Sequence, residues 1–457
     1  MSILAFRIRP SLFLLFLFCN ALLFLSSCGG ISPLKEVFQA PTPHERYEQG
    51  LRQAKLANTA LGRDWIAAGQ KALRDSLQIT LPFRETGYFA ADKSVAYSLR
   101  LQAQRGEKLV IRVETKSLYP VQVFIDIFDV ENNPKHVASA DTNTSSLEYK
   151  VEKSRMHLIR IQPELLRSGR YTISIEREPG LAFPLPGKDS RNISSFWGSD
   201  RDGGKRQHEG IDIFAKRGTP VVAASAGTIR GVNQNNLGGK VVWLSDESWN
   251  QSLYYAHLDQ QLVTEGQHVN IGDTLGLVGN TGNAATTDPH LHFGIYRFGE
   301  GAIDPFPFVQ RGSGTPPKVE VDLDQLGQWN RVAGKKAALR RAPNKTAPII
   351  TEITPHTPLL LVAGAVNWYR ALLPNGVTGY VSAKQVESFK KPLRKQSLPT
   401  ETALLDYPDA TAAPMQQLKA GSSVTVLADS GSFLLVETPG GERGWMSNPV
   451  SLVNGQQ

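Results

Sequence analysis

The stretch from Gln207 to Tyr296 reads, at its three densest points, His208-Glu-Gly-Ile-Asp212, Tyr254-Tyr-Ala-His257-Leu and Pro289-His290-Leu-His292-Phe. Four of the chain's nine histidines fall in these clusters. Imidazole nitrogen and carboxylate oxygen suit a tetrahedral zinc, and a catalytic zinc takes three protein ligands and keeps one position open. Four histidines and Asp212 offer more donors than that. Residues i and i+2 of a strand share a face, so His290 and His292 project side by side into one cleft. No His-Glu-x-x-His occurs, so the helical zinc site with a built-in Glu base is excluded and the base is sought among the histidines. His44, His136, His157, His268 and His356 have no motif around them and read as structural or exposed.

The flanks extend the pattern: Gly210-Ile-Asp212-Ile, Gly218-Thr-Pro220-Val-Val-Ala, Tyr255-Ala-His257-Leu, and Gly279-Asn-Thr-Gly282 leading into Pro289-His-Leu-His-Phe293. Over residues 190 to 310 the chain resembles the lysostaphin-like (LytM-type) peptidoglycan metallopeptidases, whose signature is His-x-x-x-Asp, a later lone His and a closing His-x-His. The resemblance implies an antiparallel-sheet zinc peptidase domain of the duplicated hybrid motif type. It implies that His208, Asp212 and His292 bind Zn2+, while His257 and His290 stay unliganded as catalytic residues. His290 is then the general base and His257 hydrogen-bonds the oxyanion, or the two exchange roles. One departure is Gly294, where the family commonly has Glu; it touches the support of the site, not its ligand set.

Length suggests about three domains, and the 41% hydrophobic content suffices for packed cores. Forty Gly and 28 Pro favour turns and a mainly β fold. A net charge of +8 favours anionic polymers or membrane surfaces. No basic block or motif points to nucleic acid, and no obligate protein partner is evident.

Arg7 and Arg9, an apolar run from Leu12 to Leu25, and Leu25-Ser-Ser-Cys28 make residues 1–27 a secretory signal. The run is shorter than the ~20 residues of a spanning helix. Leu-Ser-Ser-Cys resembles a bacterial lipobox, which implies a mature chain lipidated at Cys28. Cys19 leaves with the signal, so no intrachain disulfide can form. The expected location is the cell envelope, with the membrane as partner through Cys28; Gly29 favours the outer membrane, facing the periplasm, in a Gram-negative cell.

Residues 28–43 are rich in Gly and Pro and read as a tether. Residues 44–180 read as a helical segment plus a β-sandwich. Tyr47, Leu51, Ala54, Leu61, Trp65 and Leu73 recur at helical spacing, as a helix or helical hairpin. The period becomes two in Tyr97 to Leu101, Leu109 to Val113, Val121 to Phe128 and Tyr171 to Ile175. Residues 181–187 read as a linker, 188–312 as the zinc metallopeptidase domain, and 312–317 as a hinge. Within the peptidase range, strands are expected at Val221 to Ala224, Thr228 to Val232, Lys240 to Leu244, Leu253 to His257, Thr274 to Val278 and His290 to Tyr296. Asp212 reads as a loop entering a strand, and Asp246, Asp273 and Asp304 read as turn residues.

Sliding the tail against itself by 65 residues sets Leu339 on Leu404, Pro343 on Pro408, Trp368 on Phe433, Gly379 on Gly444, Tyr380 on Trp445 and Ser382 on Ser447 without a gap. A fixed offset means duplicated units. Gly-Tyr-Val-Ser and Gly-Trp-Met-Ser resemble bacterial SH3-like barrels, placing SH3-like domains at 328–388 and 394–454. Trp368, Tyr380, Phe433 and Trp445 are candidates for wall binding or core aromatics. The chain is therefore expected to be a cell-wall zinc endopeptidase acting on the stem peptide or cross-link of peptidoglycan. The alternatives are a non-hydrolytic activator or scaffold for other wall hydrolases, and a wall-binding tether.

Overall fold

The structure, a computed structural model, describes residues 40–142 and 144–448. The signal, Cys28 and most of the tether lie outside the described residues, as does the second SH3-like range beyond 448.

Thr42 is the N-cap of the first helix: it accepts from the Glu45 amide while Glu45 reaches back to its own, and Pro43 fills the first helical position. The result is α1, Pro43–Gln53. A 3-10 turn at Leu56–Asn58 leads to α2, Ala60–Ala72, capped by Thr59. This is the helical hairpin that the periodicity predicts. The hairpin lays Leu51 and Trp65 on Phe124, and the Trp65 indole donates to the Pro163 carbonyl at 2.8 Å.

Beneath it lies a sandwich. One sheet runs in the order Ser76–Gln78, Tyr97–Ala103, Arg155–Pro163, Val123–Val130, Pro134–Ser139. The other is built on Phe83–Phe89, Gly169–Pro179, Glu107–Lys116 and Ser146–Lys150. Their inner faces share one core around Leu99, Ile111, Ile127, Ile159 and Ile173, all fully buried.

The second sheet does not stop at the sandwich. Phe83–Phe89 pairs on its free edge with Pro358–Ala365, at Thr86 with Gly364 and at Gly87 with Ala363. The first SH3-like unit is thus joined to the sandwich strand to strand, and Ala365, Trp368 and Tyr380 belong to the sandwich core.

The duplication holds strand for strand. Strands Trp329–Val332, Ala337–Arg340, Ile349–Ile353, Pro358–Ala365, Trp368–Leu372 and Thr378–Ser382 recur as Arg394–Ser397, Thr402–Leu405, Pro414–Leu418, Ser423–Asp429, Phe433–Glu437 and Arg443–Ser447. Each copy begins 65 residues after its counterpart and repeats its pairing within the unit.

The peptidase range forms a largely antiparallel sheet in the order Ile193–Ser195, Ile211–Phe214, His290–Arg297, Gln251–Gln261, Gly239–Asp246, Gly227–Asn235, His268–Val269. One face covers a core of Ile211, Ile229, Leu253, Leu291, Phe293 and their neighbours; the opposite face is left for the site. Leu181 and Leu185, in the stretch expected to be a linker, are buried in that core at 3% and 0% exposure. Pro-interrupted sequence concealed two core leucines. The expected hinge is also stitched down: the Ser313 amide donates to the Arg177 carbonyl at 2.8 Å, and the Arg177 amide to Ser313 Oγ at 2.9 Å.

The peptidase sheet sits against the sandwich through the Trp249 indole, which donates to the Gly180 carbonyl at 3.1 Å, and through Phe308. A Cβ on Gly106, whose φ is +96°, would run into the Phe308 ring. Arg105–Glu300 and Arg297–Glu152 ion pairs lie across the same seam.

Candidate metal centre

Asp212 and His292 stand directly opposite each other on neighbouring antiparallel strands. His208 arrives from the loop before the Asp212 strand, held on both sides of its own backbone: its amide donates to the Ser199 carbonyl at 2.8 Å, and its carbonyl accepts from the Gly198 amide at 2.9 Å. Between them Gly210 is the spacer that lets the rings close. A Cβ there would stand 2.7 Å from His292 Nε2 and 2.6 Å from the Phe293 carbonyl oxygen.

Three donor atoms converge. His208 Nε2, Asp212 Oδ1 and His292 Nδ1 lie 3.0 Å from one another on every edge. His208 Nδ1 is 2.9 Å from the Phe196 carbonyl, and a carbonyl only accepts, so in the neutral ring the proton sits on Nδ1 and Nε2 presents a bare lone pair. That lone pair faces a carboxylate oxygen. A single proton on His292 Nδ1 can satisfy one edge of the triangle and leaves lone pair against lone pair on another. A cation among the three atoms removes the conflict. Nitrogen and oxygen ligands at about 2.0–2.1 Å on a tetrahedral ion stand about 3.3 Å apart, close to the observed spacing. Among the described residues, this is the group of His, Cys, Asp and Glu side chains that could hold a metal ion.

Electrostatics agree with that arrangement. Burial opposes ionisation of Asp212, but the hydrogen bonds and charge of His208 and His292 outweigh it and hold the carboxyl far below the ordinary range. Burial lowers the pKa of His292. His257 is brought down to about 4, first by burial and then by the charge of His292.

The remaining two clustered histidines border the triad. His290 and His257 rings are 4.9 Å apart, and His257 and His292 rings 5.9 Å. His290 Nδ1 donates to the Asp288 carbonyl at 2.8 Å and His257 Nδ1 to the Thr281 carbonyl at 2.9 Å. Both rings are therefore locked as acceptors at Nε2, and His290 Nε2 lies 4.0 Å from Asp212 Oδ1. His257 also holds a left-handed backbone, φ +61°, a conformation that costs a non-glycine residue energy and clusters at functional sites.

All five residues line one cleft of about 720 Å³. Trp243, Tyr254 and Tyr296 form an aromatic wall, with ring centroids 4.4–6.0 Å apart. Gly294 lies two residues before Tyr296 in the strand His290–Arg297, directly opposite Tyr254 on the neighbouring strand. Sequence reasoning missed Arg201, whose Nη2 donates to Asp212 Oδ2 at 2.7 Å. Its hairpin, Asp200–Arg201 with Arg206–Gln207, has no hydrophobic period to announce it.

Residues expected elsewhere fall as follows. Tyr380, Trp445 and Trp368 are 0%, 2% and 7% exposed and lie in cores, with Phe433 half-buried against one; wall-binding faces are not what the first three present. Asp246, expected in a turn, is a fully buried strand-end acceptor for Ser225 Oγ at 2.7 Å and Gln251 Nε2 at 3.0 Å. His44 and His157 are buried structural histidines.

Residues 206–305 match the profile of Peptidase family M23, and residues 333–387 that of the Bacterial SH3 domain. The chain thus carries an M23 (LytM-type) peptidase domain followed by a bacterial SH3 domain. It is 36% identical over 140 residues to the L-Ala--D-Glu endopeptidase of Bacillus subtilis (strain 168), covering 28% of this chain and 43% of that protein. It is 38% identical over 120 residues to the uncharacterized lipoprotein YgeR of Escherichia coli (strain K12), covering 26% and 45%. The solved catalytic domain of lysostaphin from Staphylococcus simulans is 34% identical, with 25% of this chain and 90% of that one covered and a TM-score of 0.23. The chain spans less than half the length of these two curated relatives.

Proposed function

We propose that the chain is a cell-wall zinc endopeptidase hydrolysing peptide bonds of peptidoglycan, in the stem peptide or its cross-link, with His208, Asp212 and His292 holding the zinc. The observation that carries this reading is the 3.0 Å triangle of ring nitrogens and carboxylate oxygen, an arrangement that protons alone leave in conflict. When bound, zinc acts as a Lewis acid toward the scissile carbonyl and acidifies water.

The chain's own side chains then move the protons. His290, with its Nδ1 proton committed to Asp288, accepts the proton of the attacking water at Nε2 and returns it to the leaving amine as the C–N bond breaks. His257 is committed to Thr281 in the same way. Burial keeps it neutral near pH 7, so it begins as an acceptor that orients water. It can donate to an oxyanion only after taking a proton itself.

Mass spectrometry of fragments released from defined peptidoglycan, with and without a chelator, tests the reading. Chelator-sensitive release of peptide is expected. Wall binding with no peptide released would favour a scaffold. We further propose a lipid anchor at Cys28, outside the described residues, which puts the enzyme in the cell envelope. Cys28→Ala should then move the protein into soluble fractions; a variant that stays membrane-bound at unchanged mass contradicts the anchor.

A further inference from the structure

We infer that Arg201 is a positioning residue that decides how Asp212 presents itself to the metal, an inference that rests on the zinc reading above. Its Nη2 lies 2.7 Å from Asp212 Oδ2 and 2.7 Å from Ser195 Oγ. The other carboxylate oxygen, Oδ1, is the one 3.0 Å from His208 Nε2 and from His292 Nδ1. The two oxygens are divided: one belongs to the donor triangle and the other to a guanidinium.

That division has a chemical consequence. A carboxylate with both oxygens free can bind through both, which suits larger ions of high coordination number. With Oδ2 held away, Asp212 offers a single oxygen, as a four-coordinate zinc requires. The clamp is itself built on the sheet. Ser195 and Asp212 are cross-strand partners, so the two acceptors of Arg201 are fixed relative to each other by backbone pairing, and the guanidinium bridges them. At 30% side-chain exposure against 10% for Asp212, Arg201 closes the carboxylate from the solvent side. A partner outside the ligand set that fixes a ligand's orientation is worth about 10- to 100-fold in metal affinity.

The test is zinc affinity of the full chain by competition with a chromogenic chelator. Arg201→Ala is expected to bind about 10- to 100-fold more weakly, and Arg201→Lys, which keeps the charge, to recover most of the loss. Loaded with Co2+, the wild type should give the intense visible absorption of a four-coordinate ion, and Arg201→Ala a weaker one as Oδ2 joins the shell. If Arg201→Ala fails to fold by far-UV circular dichroism, Arg201→Gln carries the same two expectations. Equal affinity and equal spectra for wild type and the folded neutral variant overturn the role of Arg201 and leave the zinc reading standing. A wild type that takes up no zinc overturns both.

Discussion

Ligands and proton carriers fail differently when truncated. His208→Ala or Asp212→Ala removes one of three converging donors, so zinc content and activity should fall together. His257→Ala and His290→Ala leave the three donors in place, so metal should stay while turnover drops about 10²- to 10⁴-fold. Elemental analysis beside rate measurements checks this, and His290→Ala losing zinc while His292→Ala keeps it would reverse the assignment. A second residue-scale outcome is set by His44, buried against Trp65 at 4.7 Å and bonded to Gln162 Oε1 at 2.7 Å. Burial, then the charge of Arg160, lowers its pKa from 6.5. The unfolded chain therefore binds the proton first, and stability should fall as pH drops below 6.5 toward the lower folded value. His44→Gln should flatten that part of the melting-temperature profile; an unchanged slope sinks the idea. The five clustered positions were legible because spacing and glycines are local. Arg201 was not, because its partner Asp212 is chosen by a hairpin with no apolar residue in it.

At the scale of elements, the seam between the sandwich and the first SH3-like unit is both backbone and side chain. Across it, Arg370 Nη2 donates to Tyr171 Oη at 2.7 Å and lies 3.2 Å from Glu85, and Tyr380 Oη donates to Glu85 Oε2 at 2.8 Å. All four side chains are buried. Removing one partner of such a pair strands the other, at about 3–5 kcal/mol. Arg370→Met should lower the urea midpoint accordingly, and a change below about 1 kcal/mol would mean the polar cluster is incidental. Period two announced four strands of the sandwich, Tyr97–Ala103, Glu107–Lys116, Val123–Val130 and Gly169–Pro179, and among those it missed is Arg155–Pro163. Residues 157–163 of that strand are buried under α1 and α2 on one side and the sheet core on the other. A strand covered on both faces loses its alternation, and here Arg160 and Gln162 lie on one face, paired with Asp126 and the Trp65 carbonyl, while Ile159 and Ile161 enter the sheet core on the other. The tail aromatics failed for a related reason. Alternation says that Trp368 and Tyr380 share a surface, not that a different domain covers it.

For the whole molecule, the tail is a structural part of what precedes it. Deleting residues 319–457 takes Ala365, Trp368 and Tyr380 off the sandwich core and bares the edge of Phe83–Phe89. The truncated chain should melt lower and aggregate, losing hydrolysis of soluble peptides together with wall binding. A truncated protein with an unchanged melting temperature and intact peptide hydrolysis would falsify this. The order of the parts was readable from composition and repeat, while their union was not, since Leu181-Ala-Phe-Pro-Leu-Pro-Gly187 and Gly312-Ser-Gly-Thr-Pro-Pro317 look like spacers and become core and stitching.

The duplication carries a growth rule. In the first copy, the edge at Ala363 and Gly364 is seated on a strand of the preceding sandwich, Phe83–Phe89. In the second copy, the matching residue Asp429 is seated on the first copy, its amide donating to the His356 carbonyl at 3.0 Å. His356 and its counterpart Gly421 both hold a left-handed backbone, φ +62° and +81°, so the second copy reproduces the very shape that receives a successor. Gly421 is exposed. Such head-to-tail seating is open-ended, like bricks laid in one direction: a further unit could repeat the joint that already links the second copy to the first.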